Sequence, residues 1–584
     1  MSARRCVGAM LAVLYVLLGA PRTAEAQADV GALAGVWSGR VDLGPQLRGA
    51  LEIERDGDGW RAWLDGREAR AADWSFDFGA EGGRFQGAAG AGWWIQPPGL
   101  PGMAYATPVR LRHIGGRWRG DVRPAPQTFT LYLALARGED GAWRAAFRNP
   151  EFNLNGGASR FAVRANGERL LALNAAGETV RDIDASGAPT RLRVSWPPLS
   201  APLELTPESD PGRAYLARAA QTYAYQPPTR MADGWRTARA GREGFDEAAL
   251  QGFVQDLIEA DPAAARPSLI HSVLVARRGR LVLEEYFHGF DRETPHDLRS
   301  AGKTFTSVLL GAVMRNGAHI APESRIYELL GASPVDGDPR RERITLAHLM
   351  THSSGLACDD NDDASPGNEG AMQSQSAQPD WWRFTLDLPM AHAPGERYAY
   401  CTAGMNLVGA ALRAATGRNV IDLFERDIAR RLNFGLYHWN LTPTGEGYLG
   451  GGVYMRPRDL AKIGQLYLDG GVWNGRRILD RAWVERSTSA QIEINEATTG
   501  MSAERFSAVA TRGADGFAWH RFGVRVGERR VESFEASGNG GQFLIVVPEY
   551  ELVVVMTGGN YGQGGIWTRW RDDIVGVRII AALH

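Results

Sequence analysis

Hydrophobic and polar residues alternate in short runs over the first third of the chain, from about Leu33 to Pro207. Glycine- and aspartate-rich turns separate these runs. Three stretches form predicted hairpins, at residues 51–66, 128–147 and 169–184. Apolar residues of helical period are not apparent in this region. The pattern therefore predicts an all-β domain, either a barrel or a sandwich.

The rest of the chain mixes helical and strand patterns. Residues 246–260 have the spacing of an amphipathic helix, and residues 268–287 alternate as a strand pair that turns at residues 278–279. Residues 540–559 predict a second hairpin, and a helical segment follows it to His584. Strands at both ends with helices between them predict an α/β (α+β) domain, whose antiparallel sheet is built from both ends of the region and flanked by helices.

The first residues have the pattern of a secretory signal peptide. Arg4 and Arg5 precede an apolar run from Ala9 to Ala20, and small residues before Ala26 form a cleavage site. A membrane anchor is the alternative, but the run is short and ends at a proline. We therefore expect an exported protein, either periplasmic or secreted, that is cut after Ala26.

These patterns divide the chain into four segments. We assign residues 1–26 to the signal peptide, 27–207 to an all-β accessory domain, 208–242 to a linker and domain entry, and 243–584 to the α/β domain. A chain of 584 residues is long enough for two or more cores. No other apolar run is long enough to cross a bilayer.

The net charge bears on the choice of binding partners, and the cysteine content bears on disulfide bonding. The formal net charge of -2 gives no reason to expect nucleic acid or an anionic membrane as a partner. The sequence has no signal that fixes an oligomeric state. Cleavage of the signal peptide leaves two cysteines, Cys358 and Cys401. They are compatible with one disulfide or with two buried thiols.

Lys303 is notable because the chain contains only two lysines among 65 basic residues. It follows Ser300 by three residues in a predicted helix with Asp297 as its N-cap, so the hydroxyl and the amine share one helix face. Arginine stays protonated in proteins, whereas the pKa of a buried lysine can be tuned. We therefore expect a serine nucleophile beside a lysine that desolvation makes neutral enough to take its proton. The alternative is a chance pair on a solvated helix, which ordinary serine content gives about one time in ten, so the spacing alone only suggests this chemistry.

Several ordered segments together resemble one known family. Ser300-x-x-Lys303 and the segments at residues 344–360, 394–412, 448–475 and 536–549 resemble the serine β-lactamase and penicillin-binding-protein superfamily. The likeness is closest to its class C-related branch of esterases, D-aminopeptidases and 6-aminohexanoate-dimer-hydrolase-like enzymes. It covers about residues 234–584. The resemblance implies a β-lactamase/transpeptidase-like catalytic domain with an antiparallel sheet flanked by helices.

The second motif of that branch falls on Tyr400-Cys401-Thr402. By the resemblance, Tyr400 is a partner in proton transfer. Thr402 replaces the asparagine that in the family helps to hold a substrate amide and the lysine, which argues against β-lactam turnover. A disulfide between Cys358 and Cys401 would hold the loop of Tyr400, and export to an oxidising compartment favours it.

The third motif falls on Ala536-Ser537-Gly538 and lacks the family's basic first residue. Substrates that carry a carboxylate for that residue, such as penicillins and D-Ala-D-Ala peptides, are therefore disfavoured. The backbone N–H of Asn539, with that of Ser300, is the expected oxyanion hole.

The resemblance implies an exported serine hydrolase that acts through an acyl-enzyme on small esters or amides. D-amino-acid peptides and ω-amino acid oligomers are candidate substrates. One alternative is a true β-lactamase or DD-peptidase, and another is a non-catalytic envelope binding protein on the same fold. We expect no cofactor and no metal, because residues 348–352 lack the glutamate of a zinc protease and residues 359–370 lack the glycine and glutamate of a calcium loop. A loose calcium site is the minor alternative for the latter segment.

Overall fold

The structure is a computed structural model that describes residues 29–43, 47–99, 104–151, 160–197, 199–219, 221–374 and 379–584. The predicted signal peptide lies outside the described residues. None of the helices in the described ranges is long and apolar enough to cross a membrane.

A closed antiparallel barrel forms much of the N-terminal region. Its first strand, Gly35–Asp42, pairs with Thr128–Arg137 on one side and with Leu203–Pro207 on the other. The intervening strands are Trp143–Arg148, Arg160–Asn166, Arg169–Leu173, Thr179–Asp184 and Leu192–Val194. Phe129, Leu131, Leu133 and Leu135 pack into the same hydrophobic core, as the period of two predicts. The all-β prediction is confirmed, and the barrel is the correct alternative.

A five-stranded sheet is formed by strands that fall, in the sequence, between the first barrel strand and Thr128–Arg137. Its strands, in spatial order, are Arg67–Ala71, Gly59–Leu64, Gly49–Asp56, Arg117–Val122 and Arg112–Ile114. The first predicted hairpin turns at residues 57–58, as expected. Leu51, Ile53 and Leu64 bury their side chains against Phe85 and Trp94 of a neighbouring sheet.

That neighbouring sheet runs across the predicted domain boundary, and we call it the shared sheet. Its seven strands, in spatial order, are His296–Asp297, Val453–Met455, Tyr437–Leu441, Ala104–Arg110, Ala91–Gln96, Arg84–Ala88 and Ser75–Asp77. The junction is the antiparallel pairing of Ala104–Arg110 with Tyr437–Leu441. The N-terminal region is thus hydrogen-bonded into the α/β region, in the same sheet as the strand that leads to Ser300 but separated from it by two strands.

The main sheet of the α/β region has nine strands and is built from both of its ends. In spatial order these are Arg236–Thr237, Arg280–Tyr286, Ile270–Arg277, Leu552–Gly558, Gln542–Val547, Phe534–Gly538, His520–Arg521, Gly513–Asp515 and Ile492–Ile494. Strand Arg236–Thr237 falls within the segment that the sequence assigns to the linker and pairs in parallel with Arg280–Tyr286. Both predicted strand pairs, at residues 268–287 and 540–559, are confirmed.

Helices cover both faces of the main sheet. Phe543 and Ile545 pack with helix Glu247–Glu259 and the C-terminal helical segment on one face, whereas Leu544 and Val546 pack with the central helices on the other. The central helices are Thr304–Arg315, Thr402–Thr416 and Pro457–Leu468. The predicted fold class, an antiparallel sheet flanked by helices, is confirmed.

Shorter elements complete the fold. The shorter α-helices are Ile326–Leu330, Leu346–Met350, Glu369–Ser374, Trp381–Asp387, Val420–Phe424, Arg481–Thr488, Glu496–Thr499, Ala503–Val509 and Gly564–Trp567. Two small hairpins pair Val472–Trp473 with Arg476–Arg477 and Val524–Val526 with Arg529–Val531. The predicted C-terminal helix is irregular, with a π-helical stretch at Arg571–Ile579 and a 3₁₀ turn at Ile580–Ala582.

Candidate active site

The segment that contains Ser300 is a 3₁₀-helix, Arg299–Lys303, and the α-helix Thr304–Arg315 begins only after it. The prediction of one continuous helix with Asp297 as N-cap is wrong. Asp297 lies in a short strand, and its Oδ1 accepts the N–H of Arg299 at 3.0 Å. Arg299 has a left-handed backbone, with φ of 48°, which prevents a regular α-helical start before Ser300.

The 3₁₀ geometry brings Ser300 and Lys303 together, because residues three apart are eclipsed in such a helix. Lys303 Nζ donates to Ser300 Oγ at 2.9 Å and to the carbonyl oxygen of Gly450 at 2.6 Å. Lys303 is only 4% exposed, whereas Ser300 is half-buried. Ser300 is therefore partly exposed, whereas the amine that contacts it is buried and also bound to a backbone carbonyl.

Burial and neighbouring charges shift the pKa of Lys303 in opposite directions. Burial, the largest influence, lowers its pKa, but Tyr400, Glu369 and Asp360 together raise the pKa above its ordinary value. The charged form of Lys303 is therefore favoured in the resting site. The expectation that desolvation makes the amine neutral is not met, because nearby acidic groups outweigh it.

Tyr400 lies next to this pair, with Lys303 Nζ 5.0 Å from the centroid of its ring. The ring of Tyr400 also contacts the ring of His352, at a centroid distance of 4.5 Å and an interplanar angle of 35°. His352 also accepts the N–H of Cys401 at Nδ1, at 3.0 Å. Burial lowers the pKa of His352 well below its usual value, so its neutral ring can act as this acceptor.

A clamp holds the loop that carries Tyr400. Cys358 and Cys401 form a disulfide. Asp360 donates its N–H to the carbonyl oxygen of Tyr400 at 2.8 Å, and Asp360 Oδ2 accepts the N–H of Thr402 at 2.8 Å. The Thr402 side chain is buried, and its Oγ1 has no hydrogen-bond partner among the described residues.

Glu369 is a second acidic residue near Lys303, after Asp360. Its Oε1 accepts the Tyr448 hydroxyl at 2.5 Å and Nε2 of Gln373 at 2.9 Å. Asp360 and Glu369 are both half-buried. The sequence analysis assigned no individual role to these residues. Asp360 and Glu369 lie in the segment weighed as a calcium loop, and Asp360 and His352 lie in the family-like segment 344–360. Among the described residues, no group of three or more His, Cys, Asp or Glu side chains is placed to hold a metal ion.

The third-motif residues lie on strand Phe534–Gly538, which packs against the 3₁₀-helix of Ser300. A Cβ on Gly538 would lie 2.4 Å from the carbonyl oxygen of Leu298 and 3.0 Å from the N of Ala301, so only glycine fits. Ala536 is buried, Ser537 is half-buried, and Asn539 Oδ1 accepts the N–H of Gly562 at 2.8 Å. The end of this strand therefore lies beside Ser300, and the oxyanion role of Asn539 stays a prediction.

Comparison with known proteins agrees with this geometry. The family model Beta-lactamase matches residues 254–563. The 6-aminohexanoate-dimer hydrolase of Paenarthrobacter ureafaciens is 26% identical over 293 residues, which is 48% of this chain and 70% of that protein.

Among solved structures, a family VIII carboxylesterase aligns at a TM-score of 0.43 with 15% identity, over 62% of this chain and 99% of its own. A penicillin-binding protein homolog from Caulobacter crescentus aligns at a TM-score of 0.43 with 14% identity, over 57% and 97%. Because the family match spans more than half of the chain, the chain belongs to the Beta-lactamase family of serine hydrolases, with sequence similarity to 6-aminohexanoate-dimer hydrolase.

Proposed function

We propose that this chain is an exported hydrolase that uses Ser300 to form an acyl-enzyme on small amides or esters, with Lys303 and Tyr400 as its proton-transfer partners. The observation that carries the proposal is the 2.9 Å hydrogen bond from the buried Lys303 ammonium group to Ser300 Oγ. A buried cation is costly unless it is paired, so its position against a half-buried hydroxyl supports a catalytic use.

In the proposed mechanism, Ser300 Oγ attacks the substrate carbonyl. Because the pKa of Lys303 is raised in the resting site, we assign the first proton acceptance to Tyr400 as a phenolate that is paired with the Lys303 ammonium group, so that the Ser300 proton passes to the phenolate oxygen. Lys303 orients the Ser300 hydroxyl and stabilises negative charge as it develops. The proton then passes to the leaving group. Water attacks the acyl-enzyme from the same face, and the same groups return the proton to Ser300.

The oxyanion that forms in both steps needs hydrogen-bond donors that stabilise its negative charge. The backbone N–H groups of Ser300 and Asn539 are the proposed pair, and each is worth about 3 kcal/mol in sites of this kind. The tight approach of Gly538 to residues 298–301 supports this assignment, because it fixes the end of the strand beside the nucleophile.

The charges around the site favour an amine in the acyl part of the substrate. Asp360 and Glu369 act on Lys303 from the side of Tyr448, and the third motif has an uncharged residue, Ala536, where relatives carry a base. An ω-amino acid oligomer or a D-amino-acid peptide presents an ammonium group that suits the acidic side. Thr402 and Ala536 argue against the alternative of a β-lactamase or DD-peptidase.

A substrate panel and acyl-enzyme trapping test this proposal. The mature protein is incubated with 6-aminohexanoate dimer, D-alanine p-nitroanilide, p-nitrophenyl acetate and nitrocefin, and quenched samples are mapped by mass spectrometry. We expect an acyl group on Ser300 and turnover of an amine-bearing amide. Ser300→Ala should abolish both, and Ser307→Ala, a buried serine on the next helix, is the matched control.

The turnover rates and the acylation results distinguish the proposed hydrolase from the two alternative functions. Fastest turnover of nitrocefin would favour the β-lactamase alternative. A protein that forms no acyl group with any of the four compounds would favour the non-catalytic binding protein.

Export is part of the proposal, supported by the signal-peptide pattern and by the Cys358–Cys401 disulfide, which suits an oxidising compartment. Cell fractionation and N-terminal sequencing test it. We expect a periplasmic or secreted protein that begins at Gln27. A cytoplasmic protein with an intact N-terminus would contradict it.

A further inference from the structure

We propose that Arg148 of the N-terminal barrel is a positioning residue for the hydrolase site. It acts through a chain of hydrogen bonds that passes over His271 and His296 to the backbone just before Ser300, and we call this path the histidine chain. The inference deepens the proposed function and rests on it for Ser300 as the nucleophile. It makes the barrel a working part of the hydrolase, because a barrel side chain fixes the segment that carries the reacting hydroxyl.

The first observation is a buried guanidinium group at the end of barrel strand Trp143–Arg148. Arg148 is 5% exposed and forms no ion pair among the described residues. Burial lowers its pKa to about 10, so the group still carries its charge at neutral pH. Its Nη1 donates to the carbonyl oxygens of Ala214 at 2.7 Å and Tyr215 at 2.9 Å, and lies 2.8 Å from His288 Nδ1. Burial of a cation without a carboxylate is costly, which indicates a role that an apolar side chain could not fill.

The second observation is the pair of histidines that continues the path from Arg148. Arg148 Nη2 lies 3.1 Å from His271 Nε2, and His271 Nδ1 lies 2.7 Å from His296 Nε2. His296 Nδ1 lies 3.0 Å from the carbonyl oxygen of Asp297. Both histidine rings are buried. The three contacts therefore join the barrel to strand His296–Asp297 without a gap.

The two ends of the histidine chain fix the direction of each hydrogen bond. A guanidinium group can only donate, and a carbonyl oxygen can only accept. His271 Nε2 is therefore an acceptor, so this ring carries its proton on Nδ1 and donates it to His296 Nε2. His296 in turn carries its proton on Nδ1 and donates it to the Asp297 carbonyl. The pKa shifts agree with two neutral rings, because burial lowers the pKa of His296 to about 4, and burial, His296 and Arg148 lower that of His271 well below its usual value.

Packing holds both rings in this orientation. Phe290 stacks on His271 at a centroid distance of 4.3 Å and an angle of 18°, and it also contacts His296 at 4.9 Å. A Cβ on Gly559 would lie 2.7 Å from His271 Nε2, so a larger residue there would displace the ring. The nitrogen atoms are thus held in place between their partners, and the bonds of such a chain polarise one another.

The histidine chain ends on the peptide group that leads into the nucleophile segment. The carbonyl oxygen of Asp297 accepts from His296, and the N–H of Leu298, in the same peptide group, donates to the carbonyl oxygen of Val453 at 3.0 Å. This peptide group is therefore held from both sides, once by the histidine chain and once by the neighbouring strand.

The orientation of that peptide group controls the geometry of the nucleophile. Arg299 follows it with a left-handed backbone, and the 3₁₀-helix that carries Ser300 begins there. A rotation of the peptide group would shift Ser300 against Lys303, whose hydrogen bond to it is 2.9 Å long. A displacement of about 1 Å in such a site can lower the rate by about 100-fold.

Nitrogen-15 NMR of the histidines tests the histidine chain without requiring turnover. The mature protein is labelled with 15N-histidine, and His271→Phe and His296→Phe assign the two rings. We expect both rings to be neutral at pH 7, with their protons on Nδ1, and Arg148→Met to shift the Nε2 resonance of His271. A proton on Nε2 of either ring would overturn the inference, and the wild-type spectrum decides this even if a variant fails to fold.

Fluorophosphonate labelling of Ser300 tests the positioning. Arg148→Met should lower the maximal rate constant of labelling by about 10- to 100-fold, while the half-saturating concentration changes by less than about twofold. Arg148→Lys should restore part of the rate, because it can still donate to His271. The matched control is Arg181→Met, which should label like the wild type, because this guanidinium group packs within the barrel, 4.4 Å from the ring centroid of Trp196. An equal rate in Arg148→Met and the wild type would contradict the positioning role.

A double-mutant cycle distinguishes the histidine chain from two separate structural effects. Arg148 and His296 do not contact each other, so unconnected effects on the labelling rate would multiply. We expect Arg148→Met combined with His296→Phe to label no more than about twofold more slowly than the slower single variant. Multiplied factors would show that the two residues do not act through one path.

The same experiments separate this inference from the proposed function. A wild-type protein with the expected histidine protonation and no label on Ser300 would refute the proposed function and uphold the histidine chain. Label on Ser300 at an unchanged rate in Arg148→Met would do the reverse.

Discussion

The clamp beside Tyr400 gives the sharpest prediction on stability. Cys358→Ala combined with Cys401→Ala removes the covalent link between the segment of Asp360 and the loop of Tyr400. Two hydrogen bonds between these segments remain, both through Asp360 and both 2.8 Å long. The variant therefore separates the contribution of the disulfide to stability from its contribution to the position of Tyr400.

The expected magnitude follows from the loop that the disulfide closes. For a sequence separation of 43 residues, the loop-entropy relation gives about 4 kcal/mol at 25 °C. The backbone hydrogen bond from Asp360 to Tyr400 contributes about 1 kcal/mol, and the bond from Thr402 to the Asp360 carboxylate about 2 kcal/mol. These bonds keep Tyr400 docked in the folded protein. Removal of the disulfide should therefore lower the free energy of unfolding, whereas kcat at 25 °C should fall by less than about threefold.

Urea unfolding, followed by tryptophan fluorescence and by residual activity, measures both effects. We expect the midpoint of the catalytic region to fall by about 1 M, because a large domain has an m-value of about 3 kcal/mol/M or more. Reduced wild-type protein should behave like the double variant. Adding Asp360→Asn to that variant should then lower kcat by at least about 10-fold. An unchanged midpoint, or immediate loss of activity in a protein with native secondary structure, would refute this reasoning.

Three further predictions concern burial and assembly. Burial lowers the pKa of His296 to about 4 and of His438 to about 3, so the fold favours their neutral forms. Stability that is complete above pH 6.5 should fall by about 2 kcal/mol per histidine at pH 5, and urea midpoints that are equal at pH 7.5 and pH 5 would contradict this. Thr402→Val should leave the urea midpoint unchanged or raise it, because its buried Oγ1 has no partner among the described residues, and a marked loss would show a missed hydrogen bond. A chain that begins at residue 208 should aggregate in gel filtration, because strand Tyr437–Leu441 loses its neighbour Ala104–Arg110, and a soluble, active monomer would disprove this role of the shared sheet.

Local patterns in the sequence predicted the local parts of this fold. The hairpin at residues 540–559 was predictable because its strands are apolar throughout and a proline-containing turn separates them. The pairing of residues 104–110 with 437–441 was not, because strands so far apart in the chain carry no local signal of their partnership. The shared sheet therefore emerged only from the structure.

The candidate site likewise combines residues that the sequence predicted with residues that only the structure revealed. The spacing of Ser300 and Lys303 predicted their contact, since both α- and 3₁₀-helices bring residues three apart close together. Tyr400 came only from the family resemblance, and Asp360 and Glu369 came only from the structure, because tertiary folding brings these residues to Lys303. The raised pKa of Lys303 follows from that convergence, so reasoning from burial alone predicted the wrong direction.

Labelling of Ser300 by a fluorophosphonate tests the central claim most directly. The rate of labelling is followed by intact-mass spectrometry in the wild type, Ser300→Ala and Lys303→Arg, with the modified residue mapped by peptide sequencing. We predict a single label on Ser300, absent in Ser300→Ala and at least about 1,000-fold slower in Lys303→Arg, because a planar guanidinium group cannot fit between Ser300 Oγ and the Gly450 carbonyl at 2.9 and 2.6 Å. A label on another residue, or an unchanged rate in Lys303→Arg, would contradict the account.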